Sequence, residues 1–165
     1  MYESNTFLGL TEAQSAIISH WHGKCQGGRL PMRGDIDPGE LRSHLAAISI
    51  VEIEPDGGIR FRIAGSEVRS IFGREMRGRR LHECHGPEVD MWALGLTAAL
   101  DRRAPVGGVI ERSVDCHTWL RLPLEVQSGT VLVLCHDMIM PKSRFGGKDK
   151  LQSSAQSNRV HVLAA

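Results

Sequence analysis

The first hydrophobic pattern along the chain has the period of a helix. Ile17 and Trp21 are four residues apart, so one face of this segment is apolar. Thr11 and Gln14 have the spacing of a capping box, in which the threonine accepts from the third backbone N–H and the glutamine reaches back. The pattern therefore predicts a helix over residues 11–26.

The later apolar segments predict five strands, two before and three after a helical region. The segments 46–54 and 59–65 are β-branched or alternating and flank a Pro-Asp-Gly-Gly turn, so they predict a β-hairpin. The other predicted elements are helices over 38–45, 66–72 and 87–102 and strands over 106–113, 117–125 and 130–138. Strands do not alternate with long helices, which disfavours a doubly wound parallel sheet. The order favours an α/β domain of the α+β type, with a five-stranded antiparallel sheet, helices on one face and an N-terminal helix.

Length and local composition indicate one domain followed by a tail. A chain of 165 residues suits a single domain. Residues 1–10 are interpreted as an N-terminal arm and residues 11–141 as the domain. Residues 142–158 are poor in apolar side chains and rich in Lys, Ser, Gly and Gln, so a flexible tail is expected over 142–165. The final RVHVLAA fits either a short strand or irregular chain.

Composition narrows the classes of function. Lys and Arg number 20 and Asp and Glu 19, so the formal net charge of +1 gives no electrostatic reason to expect nucleic acid. The sequence contains no run of about 18 apolar residues and no secretory signal, so we expect a cytoplasmic location and no membrane association. The four cysteines are widely spaced, which in a reducing compartment favours free thiols.

Several short motifs resemble those of a bacterial subfamily of single-domain PAS proteins. In chain order they are Pro31-x-Arg33, Asp35-Ile36-Asp37-Pro38, Arg62-Ile63-Ala64-Gly65, Gly73-Arg74-Glu75, Gly78-Arg79-Arg80-Leu81 and Leu122-Pro123-Leu124. The resemblance covers roughly residues 11–138. It implies a PAS sheet of five antiparallel strands, a sensory or regulatory role, and a dimer. It does not identify a ligand.

The favoured hypothesis is a sensory PAS domain that binds a small molecule and acts in trans on a signalling partner, such as a kinase or another regulator. The molecule would be apolar or amphipathic and would lie between the sheet and the helical region 66–102. The candidate pocket residues are Ile50, Phe61, Ile63, Val68, Phe72, Leu81, Trp92, Leu96, Leu122 and Leu134.

The apolar face of the helix predicted over 11–26 supports an alternative. An exposed apolar stripe is a liability, so Ile17, Ile18 and Trp21 are candidate residues of a homodimer interface. In this alternative the core is filled by its own side chains, and the chain is a ligand-free module for protein–protein interaction.

A run of arginines is the candidate anion-binding site. Arg74, Arg77, Arg79 and Arg80 lie close together in the sequence, and guanidinium groups bind phosphates and carboxylates in bidentate geometry. The competing interpretation is a solvated surface with local salt bridges, which is the commoner outcome for a run of charges.

Metal, cofactor and catalytic chemistry have weaker support. His82, Cys84 and His85 are the weak metal candidates, but a structural zinc site needs four ligands. A metal-dependent enzyme is accordingly the least favoured hypothesis, and we expect no enzymatic activity. By the resemblance, haem would need a histidine on the helix 87–102, which has none, and a flavin adduct would need a cysteine where this chain has Met76. Haem and a flavin adduct are therefore disfavoured, and the sequence does not identify a cofactor.

Overall fold

The computed structural model describes residues 7–144 and 160–163 of the chain. Its helices are α1 (Glu12–Lys24), α2 (Ser66–Phe72) and α3 (Pro87–Arg102), and its strands are β1 (Ile48–Ile53), β2 (Ile59–Ala64), β3 (Val106–Glu111), β4 (Asp115–Pro123), β5 (Val131–Pro141) and β6 (Val160–Leu163). The strands form one sheet in the order β2-β1-β5-β4-β3-β6, and neighbouring strands are antiparallel. The predicted α+β class and five-stranded antiparallel sheet are confirmed, and β6 adds a sixth strand. No helix in the described ranges has the length and apolar character to cross a membrane.

Each outer strand of the five-stranded sheet has a neighbour from elsewhere in the chain. β6, which lies within the predicted tail, pairs with β3 over four residues. On the other side, the segment 78–80 runs beside β2. There Phe61 N donates to Arg79 O (3.0 Å), and Gly78 N donates to Phe61 O (2.8 Å).

α1 packs against one face of the sheet. Ile17, Ile18 and Trp21 are only 0%, 2% and 2% exposed. Trp21 Nε1 also donates a hydrogen bond to Pro123 O in β4, at 2.8 Å. The assignment of these three side chains to a dimer interface is therefore corrected, because α1 buries its apolar face against its own sheet.

The start of α1 differs in part from the predicted capping box. Gln14 N donates to Thr11 Oγ1 (3.1 Å), as predicted. The Gln14 side chain does not reach back to Thr11: its Oε1 accepts from Leu10 N (2.8 Å), and its Nε2 donates to Trp119 O in β4 (3.1 Å). Gln14 thus ties the first turn of the helix to the sheet.

The helix predicted over 38–45 is replaced by a turn and a 3-10 helix, Arg42–Ala47. Asp37 precedes that range, and aspartate is among the residues preferred at a helix N-cap. Its Oδ1 instead accepts a hydrogen bond from Gly39 N, at 2.7 Å. This is an Asx turn, which offers the backbone an alternative to an α-helical start.

α2 and α3 lie on the opposite face of the sheet from α1. In α3, Trp92, Leu96 and Ala99 are 0%, 1% and 0% exposed. A Cβ atom at Gly95 would lie 2.9 Å from Trp119 Cζ3. α3 and β4 therefore approach each other too closely at Gly95 for a side chain to fit.

The turn from β2 to α2 is equally tight. Gly65 N donates to Ile48 O (2.8 Å). A Cβ atom at Gly65 would lie 2.3 Å from Ala46 O and 2.7 Å from Ile48 O. Both are backbone atoms and cannot rotate away, so glycine is needed here.

Candidate functional site

The ten predicted pocket residues lie on both faces of the sheet and do not line one space. Six belong to the core beneath α2 and α3, namely Phe61, Val68, Phe72, Leu81, Trp92 and Leu96. Ile50, Leu122 and Leu134 belong to the core beneath α1. Ile63 is 40% exposed. The prediction of a single pocket lined by all ten is corrected accordingly.

A β-bulge separates Phe61 from Ile63, although the two are spaced as neighbours on one face of a strand. Val51 lies opposite Phe61. The preceding residue, Ile50, lies opposite Ile63, which leaves Arg62 as the extra residue of the bulge. Residues directly opposite each other share a face, so Phe61 is on the α3 side and Ile63 on the α1 side.

A buried network of charged side chains lies on the α3 side of β4 and β5. Arg121 Nη1 and Nη2 donate to the two carboxylate oxygens of Asp137, at 2.8 and 2.9 Å. His117 Nε2 lies 2.8 Å from Asp137 Oδ1. The side chains of His117, Arg121 and Asp137 are 1%, 1% and 0% exposed. These three residues are called the polar centre below.

Two tryptophans pack around the polar centre. Arg121 Cζ lies 3.8 Å from the ring centroid of Trp92 and 5.5 Å from that of Trp119. A guanidinium group over an indole face is attracted by the ring quadrupole. Because Trp92 belongs to α3 and Trp119 to β4, the polar centre connects the helix layer to the sheet.

The residues of the polar centre stabilise one another's charged forms, so Asp137 and Arg121 remain ionised although both are buried. Burial alone would raise the pKa of Asp137, but Arg121 and His117 outweigh it and hold that pKa below its ordinary value. Burial likewise opposes the charge on Arg121, but the carboxylate of Asp137 raises the pKa of the guanidinium. At Cys135 burial outweighs the opposing effect of Arg121 and raises the pKa of the thiol to about 12. At neutral pH the site therefore holds an ion pair beside a protonated thiol.

Comparison with known proteins identifies the family. A family model described as a PAS domain matches residues 10–106, from the approach to α1 to the first residue of β3. The chain belongs to the PAS domain family. No curated protein and no solved structure matches it. The polar centre lies beyond the matched residues, so the family match supports a sensory or regulatory module without explaining these charges.

The arginines predicted to bind an anion mostly contact acidic residues of the PAS domain itself. The pairs are Arg80 with Glu54 and Asp56, Arg79 with Glu83, and Arg74 with the backbone oxygen of Glu83, at 2.5–3.4 Å. Arg77 is exposed and forms no ion pair with a described residue. The local salt bridges of the competing interpretation are thus present at two of the four arginines, Arg79 and Arg80, while Arg74 donates a hydrogen bond to a backbone oxygen.

The three weak metal candidates do not converge. Cys84 Sγ is buried and lies 3.5 Å from Met76 Sδ. His82 and His85 are exposed. Over residues 7–144 and 160–163, no three His, Cys, Asp or Glu side chains are grouped so that they could hold a metal ion.

The residues of the polar centre fall within predicted strands, but the sequence pattern does not indicate that they meet. The strand register that sets Trp119 opposite Asp137 cannot be read from one sequence. One signal was available, because Arg121 is a lone charge inside the apolar run WLRLPL. A charge within a strand that is apolar on both faces has to be paired or costs stability.

His136, on the α1 side of β5, gives the PAS domain an expected sensitivity to acid. Burial is the main cause that lowers its pKa from 6.5 to about 4. The unfolded chain therefore takes up a proton at a higher pH than the folded chain, so stability falls as the pH drops from 6.5 towards 4. We expect a loss of about 2 kcal/mol in the free energy of unfolding between pH 7 and pH 5, measured by urea denaturation.

A pair of variants separates His136 from the other titrating groups. His136→Asn should remove most of this loss, because the side chain no longer titrates. His85→Asn, at an exposed histidine, should retain it. An identical pH dependence in His136→Asn and the unaltered protein would contradict the prediction.

The cysteines should divide into one reactive and three protected thiols. Cys25 is half-buried, whereas Cys84, Cys116 and Cys135 are buried. Burial raises the pKa of Cys25, which slows its reaction but leaves it accessible. A thiol reagent at pH 8 should therefore modify one cysteine per folded chain and none in Cys25→Ser; rapid modification of a second thiol would refute this.

Proposed function

We propose that this PAS domain senses a small molecule that binds beside the polar centre, and that it acts on a partner protein in trans. The buried Arg121–Asp137–His117 network carries the proposal. A buried ion pair is a weak source of stability, because an apolar core of similar volume is often as stable or more stable. Charges that are 0–1% exposed therefore support a binding role.

The position of α3 supports this helix as the element that transmits ligand binding to the surface. On its inner side, Trp92 contacts the guanidinium of Arg121. On its outer side, Leu94 is 61% exposed and lies with Ala98 along a shallow groove of about 450 Å³. A molecule that displaces Trp92 would shift α3 and change the surface around Leu94, which is how binding would reach a partner such as a kinase or regulator.

Native mass spectrometry of the purified protein, compared with its denatured mass, tests the sensory proposal. We expect a mass excess that disappears on denaturation. Hydrogen exchange in α3 should then differ between the loaded and the stripped protein. A protein that carries no extra mass, and takes up none after incubation with a small-molecule extract of its host, would overturn the proposal.

The packing of three aromatic rings favours the second candidate, a ligand-free interaction module. The centroids of the Phe61, Phe72 and Trp92 rings are 5.0–6.1 Å apart, and Phe61 and Trp92 are 0% exposed. These side chains occupy part of the region in which an apolar or amphipathic ligand is predicted. A filled core of this kind suits a domain that binds partners, including a second copy, through its surface.

Two charged variants test the interaction module. Leu94→Glu puts a charge on the outer side of α3, whereas Val126→Glu, at a residue 50% exposed, puts one in the β4–β5 turn. If α3 forms the interface, Leu94→Glu should abolish the dimer or the captured partner, and Val126→Glu should leave it intact. Equal behaviour of the two variants would rule out α3 as the interface. A cytoplasmic location stays part of the proposal.

A further inference from the structure

Unpartnered polar atoms are concentrated on the α3 side of the sheet. Among the described residues, ten buried side-chain nitrogen or oxygen atoms form no hydrogen bond. Two of them, Glu54 Oε2 and Asp115 Oδ1, belong to ion pairs, and five of the other eight lie here. They are Ser49 Oγ, Trp92 Nε1, His117 Nδ1, Trp119 Nε1 and Arg121 Nε. Buried polar groups are almost always hydrogen-bonded in folded proteins, so such a concentration points to a molecule that contacts them.

The chemistry of these atoms limits what that molecule is. The indole nitrogens of Trp92 and Trp119 and the Nε atom of Arg121 donate hydrogen bonds and accept none. Arg121 packs beside both indole rings, with its Cζ 3.8 Å from the ring centroid of Trp92 and 5.5 Å from that of Trp119. A molecule at this site therefore has to supply acceptors rather than donors.

The charge of the polar centre sets a second limit. Arg121 donates two of its N–H groups to Asp137, so the charge of the guanidinium is already balanced by the carboxylate. An anion placed beside Arg121 Nε would face the buried carboxylate of Asp137 without a free positive charge to balance it. The acceptor is therefore uncharged.

We propose that the α3-side site binds a small neutral molecule through carbonyl oxygens, as in a ketone, ester or amide, held by the N–H groups of Trp92, Trp119 and Arg121. The inference rests on the proposed sensory function and specifies its ligand class. The sequence predicts an apolar or an amphipathic ligand, and the three donors favour the amphipathic kind, because they have to be satisfied.

Nuclear magnetic resonance of the full chain with 15N-labelled tryptophan tests the inference. The probes are cyclohexanone, methylenecyclohexane (similar in shape but without the oxygen) and cyclohexanecarboxylate. Cyclohexanone should shift the indole N–H signals of Trp92 and Trp119. The signal of Trp21 should not move, because this N–H already donates to Pro123 O at 2.8 Å.

Binding of the ketone should be about tenfold tighter than binding of either other probe, which corresponds to roughly one hydrogen bond. Trp92→Phe and Trp119→Phe keep an aromatic ring but remove the donor, so each should weaken ketone binding several-fold. Trp21→Phe is the matched control and should leave ketone binding unchanged.

The outcomes separate this inference from the sensory function. No shift with cyclohexanone, or equal affinity for the hydrocarbon or the carboxylate, would overturn the neutral acceptor and leave ordered water as the partner of these donors. A native mass excess from a molecule without a carbonyl group would also overturn it, while the sensory function would stand. If the protein selects the ketone but takes up nothing from its host, the neutral-acceptor site would be supported and the sensory function would be contradicted.

Discussion

Arg121→Leu is expected to lower the free energy of unfolding by about 3–5 kcal/mol, because it leaves the buried carboxylate of Asp137 without its cation. His117 alone would remain as a partner of that carboxylate. Burial would then raise the pKa of Asp137, so the loss should be largest at neutral pH and shrink as the pH falls and the carboxyl group is protonated. Urea denaturation at pH 7 and pH 5 measures both effects.

Two further variants separate a lost charge partner from a lost side chain. In Arg121→Leu/Asp137→Leu no charge is left unpaired, so much of the stability should return. Arg77→Leu, at an exposed arginine without an ion pair to a described residue, should have no measurable effect. A double variant no more stable than Arg121→Leu would show that the pair is not energetically coupled.

Gly65→Ala is expected to destabilise the protein by about 3 kcal/mol or more, because overpacking against rigid atoms has to move the backbone. The new methyl group would lie 2.3 Å from Ala46 O and 2.7 Å from Ile48 O. Relief of these clashes requires the turn between β2 and α2 to leave the start of β1. Thermal unfolding followed by circular dichroism measures the loss.

Gly23→Ala is the matched control for this substitution. Gly23 lies in α1, and a Cβ atom there would have no neighbour within 4 Å. Alanine is the better helix former, so this variant should stabilise the protein by up to about 1 kcal/mol. Equal melting temperatures for the two variants would contradict the close contact at Gly65.

The helices on the α3 side were predictable because their end signals are local. Gly73, with φ of 69°, closes α2, and Pro87 occupies the first turn of α3. The predicted ranges 66–72 and 87–102 coincide with the observed helices. The helix predicted after Asp37 was wrong for an equally local reason. Aspartate is common at the start of both an Asx turn and an α-helix, so the residue type alone does not distinguish them.

The faces of the strands were not predictable from the same patterns. Because helices cover both sides of this sheet, the sequences of β1 and β4 are apolar at consecutive positions and alternation no longer marks the core side. The bulge at Arg62 then moves Ile63 to the other face. To predict the polar centre, one would also need the pairing of β4 with β5, and that pairing depends on contacts between distant parts of the chain.

The coverage of both outer strands restricts how this PAS domain can associate. An open sheet edge presents unpaired N–H and C=O groups that recruit further strands, from a partner or into aggregates. Here β6 occupies that position beside β3, and residues 78–80 occupy it beside β2. A partner peptide could therefore extend the sheet at β3 only by displacing β6. A chain shortened before Val160 would expose the backbone of β3, and we expect it to self-associate more readily than the 165-residue chain.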